Sequence, residues 1–123
     1  MTGPLRWQEE DRGTIAVEPG NLGDAVLARK EVAASYHLAV TVDDALQGVT
    51  LVSRGEDLFH ATHLHRLLQA LLGLATPRYR HHMLLTGADG RRLAKRDASL
   101  TVRSLRAAGR TPPELRAMAG FPD

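Results

Sequence analysis

The residues best suited to chemistry form a basic loop at positions 86–97. The apolar run 83–85 leads into a Gly-Ala-Asp-Gly turn, and Arg91, Arg92, Lys95 and Arg96 follow it closely. Glycine adopts positive φ without steric cost, so an Asp-Gly pair favours a chain reversal. Clustered cations on such a loop could stabilise the charge that builds on a polyphosphate during a reaction. The alternative is a solvated basic turn that binds nothing.

Arg54 is the second candidate, because it follows the apolar, β-branched run 49–53. Ligands of open α/β sheets bind at the carboxyl ends of the strands. A guanidinium group at that position could hold a carboxylate through two parallel N–H donors. The alternative is a structural ion pair with Glu56 or Asp57.

Two groups of histidines are the remaining candidates for chemistry. His60, His63 and His65 lie close together on the predicted helix, and His60 and His63 fall on one face, as metal ligands would, but no third ligand is obvious. We therefore interpret them as partly exposed helix residues and predict no metal site. His81 and His82 either line a nucleotide pocket or pair with backbone groups near the start of a strand.

The elements that must position these residues follow from hydrophobic periodicity. The pattern predicts strands at 14–17, 25–29, 36–42, 49–53 and 79–85, with a single helical turn at 43–48. The alternation at 36–42 is the clearest strand signal. A helix is predicted at 58–72, with Asp57 as its N-cap and Gly73 as its stop. Its predicted core stripe consists of Leu64, Leu67, Leu68, Leu71 and Leu72.

Strand, helix and strand in this order predict a βαβ unit with parallel strands. Two short helices are expected after the basic loop. The first covers 100–108, and the second begins after Thr111, with Glu114 at capping-box spacing. The predicted fold class is therefore α/β, with short strands at the N-terminus and two short C-terminal helices.

Composition restricts the class of protein. The chain has 123 residues, 43% of them hydrophobic and 24% charged, which is typical of one soluble domain. Cysteine is absent, which fits a reducing cytoplasm, and no apolar run reaches the length of a membrane span. Between Arg91 and Arg116, eight basic residues face only Asp97 and Glu114, so the tail could meet an anionic partner such as RNA.

The ordered motifs resemble one family, the glutamyl-tRNA synthetases of class I. The likeness extends from about residue 24 to residue 97 and is strongest for the glutamyl-queuosine tRNA(Asp) synthetase branch, which lacks an anticodon-binding domain. Its motifs are Tyr36-His37-Leu38-Ala39-Val40, Val42-Asp43-Asp44, Gly48-Val49-Thr50, Arg54-Gly55-Glu56-Asp57-Leu58, Leu71-Leu72-Gly73-Leu74, Pro77-Arg78-Tyr79, His81-His82, Leu84-Leu85, Asp89-Gly90 and Arg92-Leu93-Ala94-Lys95-Arg96.

The resemblance implies the second half of a Rossmann-type catalytic domain that activates glutamate with ATP and magnesium and transfers it to queuosine of tRNA(Asp). It assigns Tyr36 and Arg54 to glutamate binding. Residues Arg92, Leu93, Ala94, Lys95 and Arg96 correspond to the KMSKS loop, in which Lys95 would steady the triphosphate as pyrophosphate leaves. The resemblance implies one partial catalytic domain, divided into a strand and loop insertion (1–35), a βαβ half (36–90), the KMSKS-like loop (91–97) and a helical tail (98–123).

Some parts of the family pattern are missing. The first loop lysine is Arg92 and the loop serine is Ala94. No HIGH-type motif and no cysteine zinc site is found, so the chain alone is expected to be inactive. We expect it to need the N-terminal catalytic half or to self-associate. The rival hypothesis is a non-catalytic paralogue that binds tRNA or protein.

Overall fold

The computed structural model describes residues 3–86 and 100–121. The chain divides into two compact units, Met1–Met83 and Leu84–Asp123. The predicted loop residues Arg92, Leu93, Ala94, Lys95 and Arg96 lie outside the described residues, so their assignment stays a prediction.

The first unit is built on a sheet of four strands in its described part. The strands are β1 (Arg6–Glu9), β2 (Gly13–Ala16), β3 (Leu51–Gly55) and β4 (Arg78–His82), and the helices are α1 (Tyr36–Leu46) and α2 (Ala61–Leu72). The spatial order is β2-β1-β4-β3. Strands β3 and β4 run parallel, and α2 connects them. This confirms the predicted α/β class and its βαβ unit.

The N-terminal hairpin extends the sheet beyond that unit. β1 pairs with β2 in antiparallel register, and β1 also lies parallel to β4, with Glu9 opposite Tyr79. The backbone N–H of Glu10 donates to the carbonyl of Tyr79 over 2.8 Å. The hairpin therefore places the side chains of β1 beside the residues of β4.

The predicted strand at 36–42 is wrong, because these residues begin helix α1. Ser35 has extended backbone angles and accepts the first helical hydrogen bond from Ala39. Of the residues predicted as a separate turn at 43–48, residues 43–46 form the last turn of this helix, Gln47 is its C-cap, and Gly48 has φ of 70°. Residues at 38, 42 and 45 also have helical spacing, so a seven-residue alternation does not distinguish the two periods.

Two details of the main helix differ from the prediction. A 3-10 turn at Glu56–Leu58 precedes α2, and His60, not Asp57, occupies the N-cap position. Leu68 is buried, but Leu71 and Leu72 are 62% and 49% exposed. The buried face is mainly polar and consists of Thr62, His63, His65, Leu68 and Gln69. Gly73 ends the helix in the left-handed region with φ of 68°, as predicted.

Two other predicted strands also differ from the structure. Residues 25–28 have no regular structure, and Arg29 forms an isolated bridge with Val32. The strand predicted at 79–85 ends at His82, so Met83 lies outside the sheet. No helix among the described residues is long and apolar enough to cross a membrane.

The second unit contains the two predicted short helices, α3 (Val102–Ala107) and α4 (Pro112–Met118). Each begins with a capping box. Thr101 pairs with Ser104, and Thr111 pairs with Glu114. The predicted cap of the last helix is therefore confirmed.

Candidate carboxylate-binding site

Arg54 lies at the carboxyl end of β3, directly opposite His81 of β4. Arg54 is half-buried, and its guanidinium group donates to three side chains. Nε contacts Nε2 of His81 at 3.0 Å, Nη1 contacts Nδ1 of His65 at 3.0 Å, and Nη2 contacts Oγ1 of Thr62 at 2.6 Å. The guanidinium also lies 5.1 Å from the centre of the Tyr79 ring. Residues from α2 and β4 thus determine where this cation points.

Arginine only donates hydrogen bonds, so its partners must accept. Nε2 of His81 and Nδ1 of His65 therefore carry no proton. The remaining proton of His81 is on Nδ1, and that of His65 is on Nε2. The two neutral histidines consequently adopt opposite tautomers, and each has a ring N–H directed away from Arg54.

The Nδ1–H of His81 is directed to Glu9. Both carboxylate oxygens of Glu9 lie 2.9 Å from this nitrogen, and Oε1 also accepts the backbone N–H of His81 at 2.8 Å. Oε2 accepts a hydrogen bond from Nε1 of Trp7 at 3.2 Å. Glu9 and His81 are both buried. The carboxylate of β1 is therefore satisfied by donors from β1 and β4 and orients the imidazole that accepts from Arg54.

The Nε2–H of His65 points towards helix α1. Nδ1 of His37 lies 2.9 Å from it and accepts the hydrogen bond. The Tyr36 ring is 6.1 Å from the His65 ring and is 52% exposed. Both predicted glutamate-binding residues, Tyr36 and Arg54, thus contact or approach the same buried histidine. Tyr36 lies at the N-terminus of α1, although the sequence predicted a strand there.

Burial controls the charge state of the network. It lowers the pKa of His65 to about 3, and the charges of Arg54, His37 and His81 act in the same direction. Burial also lowers the pKa of His81, although Glu9 opposes the change. Both imidazoles therefore stay neutral at physiological pH. This agrees with the tautomers that the Arg54 donors require.

The guanidinium of Arg54 has five N–H groups, and the described residues accept three. One N–H remains on Nη1 and one on Nη2. A carboxylate can accept two such donors. The arrangement is chemically suited to binding an acidic ligand.

The other histidines of this region have structural contacts. His63 is buried, its Nδ1 accepts the backbone N–H of Glu18 at 3.1 Å, and its ring lies 4.9 Å from that of Trp7. Its predicted partial exposure is therefore wrong. His82 is exposed and close to the carbonyl of Met83. Within the described ranges, no group of three His, Cys, Asp or Glu side chains could hold a metal ion.

Sequence reasoning missed the residues that support Arg54. Thr62, His65 and Gln69 recur at spacings of three and four on α2, so they form a polar stripe beside the leucines. That stripe was a usable signal for a buried polar network. Glu9 and His37 had no comparable signal, because their partners are distant along the chain.

Comparisons of this chain with known proteins agree on one family. The family model described as the catalytic domain of class I tRNA synthetases (E and Q) matches residues 1–119. The chain is 48% identical to the glutamyl-Q tRNA(Asp) synthetase of Rhodobacter capsulatus, over 98% of this chain and 43% of that protein. It is 44% identical to glutamate–tRNA ligase 2 of Methylorubrum populi, over 94% of this chain and 26% of that protein.

Solved structures agree with these sequence matches. The glutamate-tRNA synthetase of Elizabethkingia anophelis superposes with a TM-score of 0.66 and 30% identity, covering 80% of this chain and 20% of that chain. A glutamate tRNA ligase from Elizabethkingia meningosepticum, solved in complex with its amino acid, gives a TM-score of 0.64 and 29% identity. The chain thus spans less than half the length of each of these relatives.

Proposed function

Because the chain belongs to the catalytic-domain family of class I tRNA synthetases (E and Q), we propose that it is one partial catalytic domain of a glutamate ligase. The complete enzyme would activate glutamate with ATP and transfer it to queuosine of tRNA(Asp) in the cytoplasm. Relatives named glutamyl-Q tRNA(Asp) synthetase, from Rhodobacter capsulatus and two other bacteria among those matched, support this assignment.

The observation that carries the proposal is the hydrogen bonding of the Arg54 guanidinium group. Its guanidinium is fixed by His65, His81 and Thr62, and it retains one N–H on each terminal nitrogen. We assign these donors to a carboxylate of glutamate. The exposed Tyr36 would contribute its hydroxyl group at the rim, because its ring lies close to His37 and His65.

The ATP side is assigned to Arg92, Leu93, Ala94, Lys95 and Arg96 on the family resemblance. In the proposed activation step, a carboxylate oxygen of glutamate attacks the α-phosphorus of ATP, and the bond to pyrophosphate breaks. Lys95 would stabilise the charge on the leaving pyrophosphate, and magnesium would arrive bound to ATP. A hydroxyl group of queuosine would then attack the glutamyl carbonyl and release AMP.

A further part of the catalytic domain, or a second copy of this chain, is the proposed protein partner. The exposure of Leu71 and Leu72 supports such a contact, because apolar side chains on one helix are costly to leave in water. We expect light scattering to detect a dimer or larger species of this chain. A monomer at high concentration would contradict self-association.

A second candidate is ordinary charging of tRNA(Glu). It is favoured by the 44% identity to the Methylorubrum populi glutamate–tRNA ligase 2 over most of this chain. A non-catalytic paralogue that binds tRNA or protein is the third candidate, and it would fail every activation assay.

A chimera tests these alternatives. This chain would replace the matching segment of the Rhodobacter capsulatus relative, whose remaining part would complete the catalytic domain. Glutamate-dependent ATP–pyrophosphate exchange is expected for the chimera and not for the chain alone. Exchange by the chain alone would contradict the expected incompleteness, whereas an inactive chimera would favour the non-catalytic paralogue. Transfer to queuosine-containing tRNA(Asp), compared with tRNA(Glu), separates the two ligases.

In the same chimera, Lys95→Ala tests the assignment of the loop. We expect the exchange rate to fall about a hundredfold or more, as for loss of one donor to a transition state. The matched control is Lys30→Ala, because Lys30 is exposed in the first unit. Equal exchange rates for the two variants would show that Lys95 has no role in the reaction.

A further inference from the structure

The hydrogen bond between Arg54 and His65 suggests a role for a histidine to which the sequence analysis assigned no function. We propose that His65 is a positioning residue that holds the Arg54 guanidinium ready to bind the glutamate carboxylate, with His37 fixing His65 from behind. This inference rests on the proposed glutamate site. We call Arg54, His65 and His37 the α2 clamp.

The first argument is geometric. His65 is 1% exposed and bridges Nη1 of Arg54, at 3.0 Å, and Nδ1 of His37, at 2.9 Å. The bridge connects β3, α2 and α1, so the position of the guanidinium depends on three elements. An unrestrained arginine side chain loses rotamer entropy when it binds a ligand. Holding Arg54 before the ligand arrives removes part of that cost.

The second argument concerns which atom donates and which accepts in each hydrogen bond. Nδ1 of His65 must accept from Arg54, so Nε2 must donate, and His37 must accept at Nδ1. Each member of the clamp therefore determines the tautomer of the next. Histidine fits position 65 because one ring offers an acceptor to Arg54 and a donor to His37.

The third argument is that the other two contacts of Arg54 do not replace this one. His81 accepts from Nε and Thr62 accepts from Nη2, which leaves Nη1 with His65 as its acceptor among the described residues. Removal of the acceptor at 65 would therefore release one end of the guanidinium. That end supplies one of the two donors assigned to the carboxylate.

Three variants of this chain test whether Arg54 needs a hydrogen-bond acceptor at position 65 or only a side chain that fills the space. His65→Gln keeps an oxygen that can accept from Arg54, whereas His65→Leu fills space without an acceptor. His60→Leu is the matched control, because His60 is an exposed histidine that immediately precedes the same helix. Glutamate binding would be titrated by NMR on ¹⁵N-labelled protein, and thermal unfolding would verify that each variant is folded.

We expect His65→Leu to weaken glutamate binding about ten- to a hundredfold, the effect of losing one hydrogen bond to a charged group. His65→Gln and the His60→Leu control should stay within roughly threefold of the parent chain, since both keep an acceptor for Nη1. Equal affinities of His65→Leu and the parent chain would overturn the proposal. Equal losses in His65→Gln and His65→Leu would also overturn it, because the acceptor would then be irrelevant.

A second measurement on the unmodified chain does not depend on glutamate. Long-range ¹H–¹⁵N spectra report histidine tautomers, and we expect Nε2–H for His65 and Nδ1–H for His81. An Nδ1–H tautomer at His65 would overturn the clamp. If the tautomers are as expected but neither this chain nor the chimera binds glutamate, the glutamate site fails. In that case a protected Arg54 Nη1–H signal that is lost in His65→Leu would still support the positioning role.

Discussion

Nδ1 of His81 lies 2.9 Å from both carboxylate oxygens of Glu9, and neither side chain reaches solvent. A carboxylate on β1 thereby orients an imidazole on β4, which in turn accepts from Arg54 on β3. The sheet is thus connected through side chains as well as through its backbone ladder. This connection determines how the candidate site responds to mutation and to pH.

Glu9→Ala is expected to reduce the free energy of unfolding of the first unit by about 3 kcal/mol or more. The reason is that the buried N–H groups of His81 and Trp7 would lose their acceptor. Urea denaturation followed by Trp7 fluorescence measures the effect, since Trp7 is the single tryptophan and is buried. The control is Glu10→Ala. Its solvent-exposed pair with Arg78 should contribute less than about 1 kcal/mol, and equal losses would refute the prediction.

The stability of the first unit should fall as pH decreases from 6.5 towards 3. The folded state lowers the pKa values of His63, His65 and His81 below 6.5, so the unfolded chain binds more protons in this range. The stabilisation that comes from holding these histidines neutral is therefore complete above pH 6.5. As pH falls, the free energy of unfolding decreases by up to about 1.4 kcal/mol per pH unit for each histidine.

The window from pH 6.5 to 5 isolates this effect, because ordinary carboxyl groups titrate below it. Urea denaturation at several pH values measures the slope, and His65→Gln should reduce it by removing one titrating group. A stability that stays constant throughout this window would show that the histidines are not held neutral.

Arg54→Ala should abolish discrimination for glutamate in the chimera with the Rhodobacter capsulatus relative. Arg54→Lys should not restore it, because an ammonium group cannot reach the acceptors at 62, 65 and 81 together. Competition between glutamate and glutamine in the exchange assay measures the preference. Arg80→Ala is the control, since Arg80 is exposed and pairs with Asp11 at 3.4 Å. An unchanged preference in Arg54→Ala would reject the assigned role.

Tyr36→Phe should weaken glutamate binding about ten- to a hundredfold, the effect of losing one hydrogen bond to a charged group. Unfolding free energy should change by less than about 0.5 kcal/mol, because Tyr36 is exposed and its hydroxyl bonds to no described residue. Tyr79→Phe provides the contrast. The buried hydroxyl of Tyr79 accepts from Gln69 at 2.8 Å, so its loss should lower stability. A stability loss in Tyr36→Phe as large as that in Tyr79→Phe would contradict the assignment.

Local sequence signals predicted those features that depend on near neighbours. The capping box at Thr111 and Glu114 depends on a spacing of three residues, and the helix stop at Gly73 depends on one backbone angle. The position of Arg54 at a strand end followed from the apolar run before it. Each of these was confirmed because its physical cause lies within a few residues.

The sequence by itself thus determined the βαβ order, the stop of α2, the N-terminal cap of α4 and the placement of Arg54, because these depend on local periodicity and turn chemistry. Only the tertiary structure decided that residues 36–46 form a helix and that a polar network occupies the centre of the first unit. Glu9 and His81 are 72 residues apart, and His37 and His65 are 28 apart. Such pairs depend on how β1 and α1 pack against β4 and α2, and no local pattern encodes that packing.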